Sequence, residues 1–131
     1  MIKIQDLLKE RILFLDGAMG TMIQKHKLIE EDYRGDEFAD YEHSVKGNND
    51  LLVITQPQII RDIHLDFLTA GSDIIETNTF NASRVSMADY HMENLVKRIN
   101  TEAVKVAKEA REVFQQTNDK PVFIAGAIGP T

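Results

Sequence analysis

Ile12-Leu13-Phe14-Leu15-Asp16-Gly17-Ala18-Met19-Gly20-Thr21 decides the reading of this chain. Four apolar residues run directly into an acidic residue and two glycines. The apolar run is too short for a helix, and a strand buried on both faces need not alternate polar and apolar side chains. Such a strand opens into a site at its C-terminal tip. Asp16 stands where the chain leaves the core, and Gly17 and Gly20 permit φ > 0 or close approach of the backbone to a ligand. The competing reading is a buried strand followed by an ordinary turn.

Two later stretches share the pattern. Asp73-Ile74-Ile75-Glu76-Thr77-Asn78-Thr79-Phe80 reads as a second strand ending in polar side chains. Val122-Phe123-Ile124-Ala125-Gly126 reads as a third, with Ala127-Ile128-Gly129-Pro130-Thr131 as the loop beyond it. Helices are expected between them. Ile4, Leu7 and Leu8 predict a short amphipathic helix over 2–10, and Thr21 to Lys27 a brief one. Glu30 to Asn49 is polar, with scattered Tyr33, Phe38 and Tyr41, and reads as a long irregular excursion of the kind that is often functional. Thr55-Gln56-Pro57-Gln58 predicts a helix start, with a capping box between Thr55 and Gln58 and Pro57 in the first turn. Ile60, Ile63, Phe67 and Leu68 form its apolar face and Gly71 its stop. From Met92 to Phe114 apolar residues recur at i, i+3, i+4 and i+7 above a charged opposite face, and Asn118-Asp119-Lys120-Pro121 ends that helix.

The alternation of helix and strand predicts an α/β fold of parallel β/α units. Parallel folds place their sites at the carboxyl ends of the strands, so Asp16-Gly17, Glu76-Thr77-Asn78 and Gly126 are expected to share one site. Three strands do not close a barrel, which takes about 250 residues. The 131-residue chain is therefore expected to be an incomplete domain.

Composition narrows the partners. A net charge of -6 and a pI of about 5.1 argue against nucleic acid or an anionic membrane. No apolar run approaches the ~18–20 residues that span a bilayer, and Met1 to Asp6 has no signal-peptide core, so a cytoplasmic protein is the expectation. With no cysteine, the chain has neither disulfides nor a thiolate metal site. His26, His43, His64 and His91 are far apart, and His64 falls within a helix, so no histidine is assigned a metal.

Asp16-Gly17-Ala18-Met19-Gly20-Thr21, Glu76-Thr77-Asn78-Thr79-Phe80 and Gly126-Ala127-Ile128-Gly129-Pro130-Thr131 resemble the three opening motifs of the homocysteine S-methyltransferase family. Asn49-Asp50-Leu51-Leu52, Thr55-Gln56-Pro57 and Met87-Ala88-Asp89-Tyr90 most closely resemble the N-terminal module of cobalamin-dependent methionine synthase. The resemblance runs from about Arg11 to Thr131. It implies that residues 1–131 are the first part, about three strands, of a (β/α)8 TIM barrel that binds homocysteine at its C-terminal face. It also implies a methyltransferase of methionine biosynthesis. There, zinc holds the substrate thiol as thiolate, and the methyl group comes from methylcobalamin, recharged from 5-methyltetrahydrofolate on other modules.

For the substrate's amino-acid end, Asp16 is the choice for the ammonium. The backbone amides of Gly17, Ala18, Met19 and Gly20 suit the carboxylate, because a glycine turn can aim several N–H groups inward. Glu76, Asn78 and Thr79 would line the neighbouring sector as polar contacts or brace Asp16. These are binding roles, and no catalytic residue is assigned. The family holds its zinc with three cysteines, one beyond the middle of the barrel and an adjacent pair near its end, and this chain has none. Zinc and cobalamin are thus expected only in a longer protein. The chain alone is expected to be inactive, to depend on the remaining barrel half and the cobalamin and folate modules, and to self-associate through open strand edges. Two alternatives stay open. The methyl donor could be betaine or S-methylmethionine. The chain could also be a non-catalytic small-ligand or phosphate-binding α/β domain using Gly17/Gly20 and Gly126/Gly129 as anion nests, although neither pair forms a nucleotide-binding glycine motif.

Overall fold

A computed structural model describes residues 1–130, so Thr131 of the third motif lies outside the described residues. In chain order the elements are α1 (Ile4–Leu8), α2 (Met19–Gln24), α3 (Glu30–Arg34), α4 (Leu52–Thr55), α5 (Pro57–Ala70), β1 (Ile74–Glu76), α6 (Arg84–Met87), α7 (Val96–Gln115) and β2 (Phe123–Ala125). Single 3₁₀ turns occupy Asn49–Leu51, Ala88–Tyr90 and Glu93–Leu95.

The periodic segments form the two long helices. Along α7, Ile99, Ala103, Val106, Ala107 and Ala110 are buried at helical spacing. They pack against α5, which buries Ile60, Ile63, His64 and Leu68. The three alanines let the two helices approach closely. Gly71 ends α5 with φ of 117°, and the Ser72 N–H reaches the Phe67 carbonyl at 3.0 Å while the Gly71 N–H reaches Leu68 at 3.1 Å. This is a Schellman closure, which favours glycine at the left-handed position.

The start of α5 differs from the expected capping box. The buried run Leu51-Leu52-Val53 carries a helical turn through to Thr55, whose hydroxyl bonds the Leu51 carbonyl at 3.5 Å. Gln56 becomes the N-cap and makes no capping bond with its side chain, so the start rests on Pro57 at the first position. The excursion over 30–49 is also more ordered than expected. Glu30 accepts the Val45 N–H at 2.8 Å, Arg34 donates to the carbonyls of Phe38, Tyr41 and His43, and Tyr33 and Val45 enter the core.

β1 and β2 pair in parallel, with Ile74 opposite Phe123, Ile75 opposite Ile124 and Glu76 opposite Ala125. The expected first strand, Ile12–Leu15, is not a strand here. Leu15 joins Ile74 through one parallel bridge, with the Asp16 N–H on the Ile74 carbonyl at 2.9 Å and the Ile74 N–H on Phe14 at 3.1 Å. The sheet is therefore two strands and one bridge. The segment runs beside β1 with no second strand paired to it among the described residues, and Ile12, Phe14 and Leu15 are 77%, 62% and 56% exposed. Burial between neighbours is expected of this segment only within a full barrel, and in this chain the open edge is the expected state. β1 also stops earlier than expected: the Thr77 N–H still bonds the Ala125 carbonyl at 2.9 Å, and the chain then turns out of the sheet, with the Thr79 N–H on the Thr77 carbonyl at 2.9 Å.

A charged clasp fixes this edge. Asp73, with its side chain 1% exposed, accepts two bonds from Arg11 at 2.8 and 3.1 Å, the Phe14 N–H at 2.9 Å, and pairs with Lys120 at 3.1 Å. One carboxylate thus ties the Leu15 segment, β1 and the approach to β2.

Candidate functional site

The carboxyl ends of the Leu15 segment, β1 and β2 point the same way, because all three run parallel. The loops beyond them enclose a cavity of about 310 Å³. Asp16, Gly17, Ala18, Met19, Gly20, Glu76, Asn78 and Thr79 all line it. Those eight residues are therefore in one place, whereas Gly126, expected to share the site, does not line the cavity and its neighbour Ala127 does.

Asp16 follows the bridge at Leu15. Its Oδ2 accepts the Glu76 N–H at 3.0 Å, and its Oδ1 is buried with no partner. Burial pushes the carboxyl up to about 6; the nearby Glu76 charge adds to this and the Glu76 amide opposes it. Glu76 thus braces Asp16 through its backbone while its own side chain stays exposed at the rim.

Asn78 and Thr79 are buried and engaged with the protein. The Asn78 side-chain amide donates to the Asn49 carbonyl at 2.8 Å. The Thr79 hydroxyl bonds Ala127 O at 2.8 Å and the Thr77 hydroxyl at 2.7 Å, and the Ala127 N–H reaches the Thr77 hydroxyl at 3.2 Å. These threonines stitch the loop after β1 to the loop after β2. Gly129 lets the second loop lie against the first, since a Cβ there would overlap the Phe80 carbonyl oxygen.

Neither Gly17 nor Gly20 takes a positive φ. Gly17 instead lies in close approach to Phe67: a Cβ there would stand 3.0 Å from the ring, which would have to shift by a few tenths of an ångström. Ala18 is extended and α2 begins at Met19, so the first N–H groups of that helix face the cavity region without intrahelical acceptors.

Sequence reasoning missed Asn49, Asp50, Phe80, Asn81 and Ala127 as lining residues, while Thr77 lines the cavity as the strand-end pattern predicts. Asp50 is 3% exposed and accepts the Asn81 N–H at 2.7 Å. Burial pushes its carboxyl up to about 6 against that bond. The signal was present: Asn48-Asn49-Asp50 is a polar triplet directly before the buried Leu51-Leu52-Val53. A larger open groove of about 670 Å³ runs along the charged face of α7 and contains none of these motif residues.

The residues present do not fit a zinc site. The chain has no cysteine, and no group of three His, Asp or Glu among the described residues is placed to hold a metal ion. His43 and His91 stack at 3.9 Å without a third ligand. His64 is wholly buried in α5 with both ring nitrogens unpartnered, and burial pushes it down to about 4. Among the described residues no helix is long and apolar enough to cross a membrane.

Comparison with known proteins gives one consistent answer. Two solved structures of the homocysteine methyltransferase MmuM from Escherichia coli resemble the chain. The metallated form does so at 25% identity and a TM-score of 0.74, the oxidized form at 26% and 0.75. Each match covers 96% of this chain but only 41% and 40% of the MmuM chains, so this chain spans about two fifths of their length. The model of the homocysteine S-methyltransferase family matches residues 13–131. With nearly the whole length matched and the motif residues gathered at one cavity, the chain belongs to the homocysteine S-methyltransferase family.

Proposed function

We propose that this chain is the amino-acid-binding opening of a homocysteine methyltransferase, built as the first part of a (β/α)8 barrel. The observation that carries the reading is convergence: Asp16 and Glu76, sixty positions apart, meet at one cavity with the start of α2. The unpartnered Oδ1 of Asp16 is an acceptor for the substrate ammonium. The free N–H groups from Gly17 to Gly20 are donors for its carboxylate. Glu76, Asn78 and Thr79 shape the wall between them.

A thiol with a pKa near 8.5 is mostly protonated at neutral pH, and only the thiolate is a good nucleophile. Among the described residues no group of side chains is placed to hold a metal that would deprotonate it. These residues therefore bind and orient homocysteine, and thiol activation belongs to other parts of a longer protein, where zinc is the activator the family resemblance implies. The likeness of Asn49–Leu52, Thr55–Pro57 and Met87–Tyr90 to methionine synthase favours methylcobalamin as donor and methionine as product. The chain alone does not transfer the methyl group.

Titration of the chain with L-homocysteine, followed by NMR, tests the reading. Binding is expected at the cavity, weakened about tenfold by Asp16→Asn through loss of a charge-assisted bond, with no response to ATP or NAD. Failure of homocysteine to bind, or binding of ATP at the same residues, overturns it. Methionine formation by the chain alone with homocysteine and methylcobalamin would overturn the claim of inactivity.

A further inference from the structure

We infer that Asn49, oriented by the Tyr33 hydroxyl, is a specificity-determining contact for the carboxylate of the substrate. The inference rests on the homocysteine reading above and adds the excursion over 30–49 to the site. Tyr33 lies in α3, is 6% exposed, and donates its hydroxyl hydrogen to Asn49 Oδ1 at 2.8 Å. A carboxamide whose oxygen is engaged in this way presents its two N–H groups in the other direction.

Three further observations show what those N–H groups face. Asn49 lines the cavity, and its Nδ2 has no hydrogen-bond partner among the described residues. The same atom stands 3.9 Å from the place a Cβ on Gly20 would occupy, beside the first turn of α2. The backbone beneath it is held on both sides. Its N–H reaches the Gly47 carbonyl at 2.9 Å, its carbonyl accepts Asn78 Nδ2 at 2.8 Å, and the next residue, Asp50, accepts the Asn81 N–H at 2.7 Å.

Charge restricts how a carboxylate can be held here. Asp16, Asp50 and Glu76 line the cavity and, among the described residues, no lysine, arginine or histidine does. A carboxylate there must be held by neutral N–H donors. Asn49 offers a preorganised pair of them, since its oxygen already accepts the Tyr33 hydroxyl. Tyr33 is then a positioning residue, acting through Asn49.

The test compares L-homocysteine with L-homocysteinamide, which replaces the carboxylate by a neutral amide, in NMR titrations of the chain and its variants. Asn49→Ala is expected to weaken homocysteine about tenfold and homocysteinamide less than about twofold, because bonds to charged groups are the stronger ones. Tyr33→Phe is expected to show the same selective loss at about threefold. If Asn49→Ala unfolds the chain by stranding the Tyr33 hydroxyl, the double variant Tyr33→Phe/Asn49→Ala removes that hydroxyl and should show the Asn49→Ala pattern. Equal losses for the two ligands, or none, overturn the inference. Loss of homocysteine binding on Asp16→Asn with none on Asn49→Ala overturns it and leaves the homocysteine reading standing. Failure of the unaltered chain to bind homocysteine overturns both.

Discussion

The Glu76 backbone N–H and the Asp16 carboxylate meet at 3.0 Å across sixty residues of chain, at the point where the Leu15 segment and β1 both leave the sheet. One oxygen of Asp16 is thereby fixed and the other left buried and open. With the carboxyl lifted to about 6, the free site carries its proton in mild acid and loses it near neutrality. A bound ammonium favours the charged form. Homocysteine affinity is therefore expected to be level above pH 7 and to fall about tenfold per pH unit below 6. Calorimetry between pH 5 and 8 checks this, and Asp16→Asn should flatten the profile.

Asp73→Asn keeps the shape of the clasp and removes its charge. Arg11 donates two bonds to that carboxylate and holds it well below the usual carboxylate range, with Phe14 and Lys120 adding to the effect. A loss of about 2–3 kcal/mol in urea unfolding at pH 7 is expected for breaking a buried charge-assisted cluster. A depressed folded pKa stabilises above the unfolded value of 3.8 and ceases to do so as pH falls through the folded one. The gap between the two proteins should thus close in strong acid. Equal stability at pH 7 would refute the clasp's role.

His64 acts through pH as well. Its pKa is about 4 when folded and 6.5 when unfolded, so the unfolded chain takes up the proton first. Its share of stability is complete above 6.5 and is lost as pH falls toward 4, a loss of about 3 kcal/mol. His64→Leu, which fills the same buried site without titrating, should be the more stable protein at pH 4.5 by a larger margin than at pH 7.5. An identical margin at both would sink the argument.

Asp50 has the opposite sign. Its folded pKa is raised from 3.8 to about 6, so its burial is tolerated best below 3.8 and is opposed as pH rises through 6. Asp50→Asn, whose carboxamide oxygen still accepts the Asn81 N–H, is expected to raise stability by about 1–3 kcal/mol at pH 7.5 and not at pH 3.5. Thermal unfolding at the two pH values decides.

The exposed Ile12, Phe14 and Leu15 beside an unpaired edge are expected to drive self-association of the chain. Phe14→Lys leaves the Phe14 backbone bonds to Asp73 and Ile74 available and places a charge on the edge. Sedimentation velocity should show a mass shift toward monomer for the variant. A monomeric unaltered chain at micromolar concentration would end this line.

Local rules made the long elements legible. The period of Ile99 to Ala110, the proline opening α5 and the left-handed glycine closing it are properties of a few neighbouring residues, so they could be read without knowing what packs where. The motif glycines and Asp16 were legible for the same reason. The Ile12–Leu15 strand was not, since a strand needs partners on its edges and this segment has one bridge. The capping box at Thr55 failed because the preceding apolar turn drew Thr55 into α4.

By itself the sequence determined the order of α/β units, the helix boundaries set by proline and glycine, and the residue types at the strand ends. Only the tertiary structure decided that Asp16 and Glu76 touch, that Asn78 and Thr79 are held by protein partners, and that Asn49, at the end of a loop read as irregular, joins them with the adjacent Asp50. The physical reason is range. Periodicity and turn chemistry act over a few residues, whereas a hydrogen bond across sixty positions depends on how the Leu15 segment and β1 are brought side by side in the folded chain.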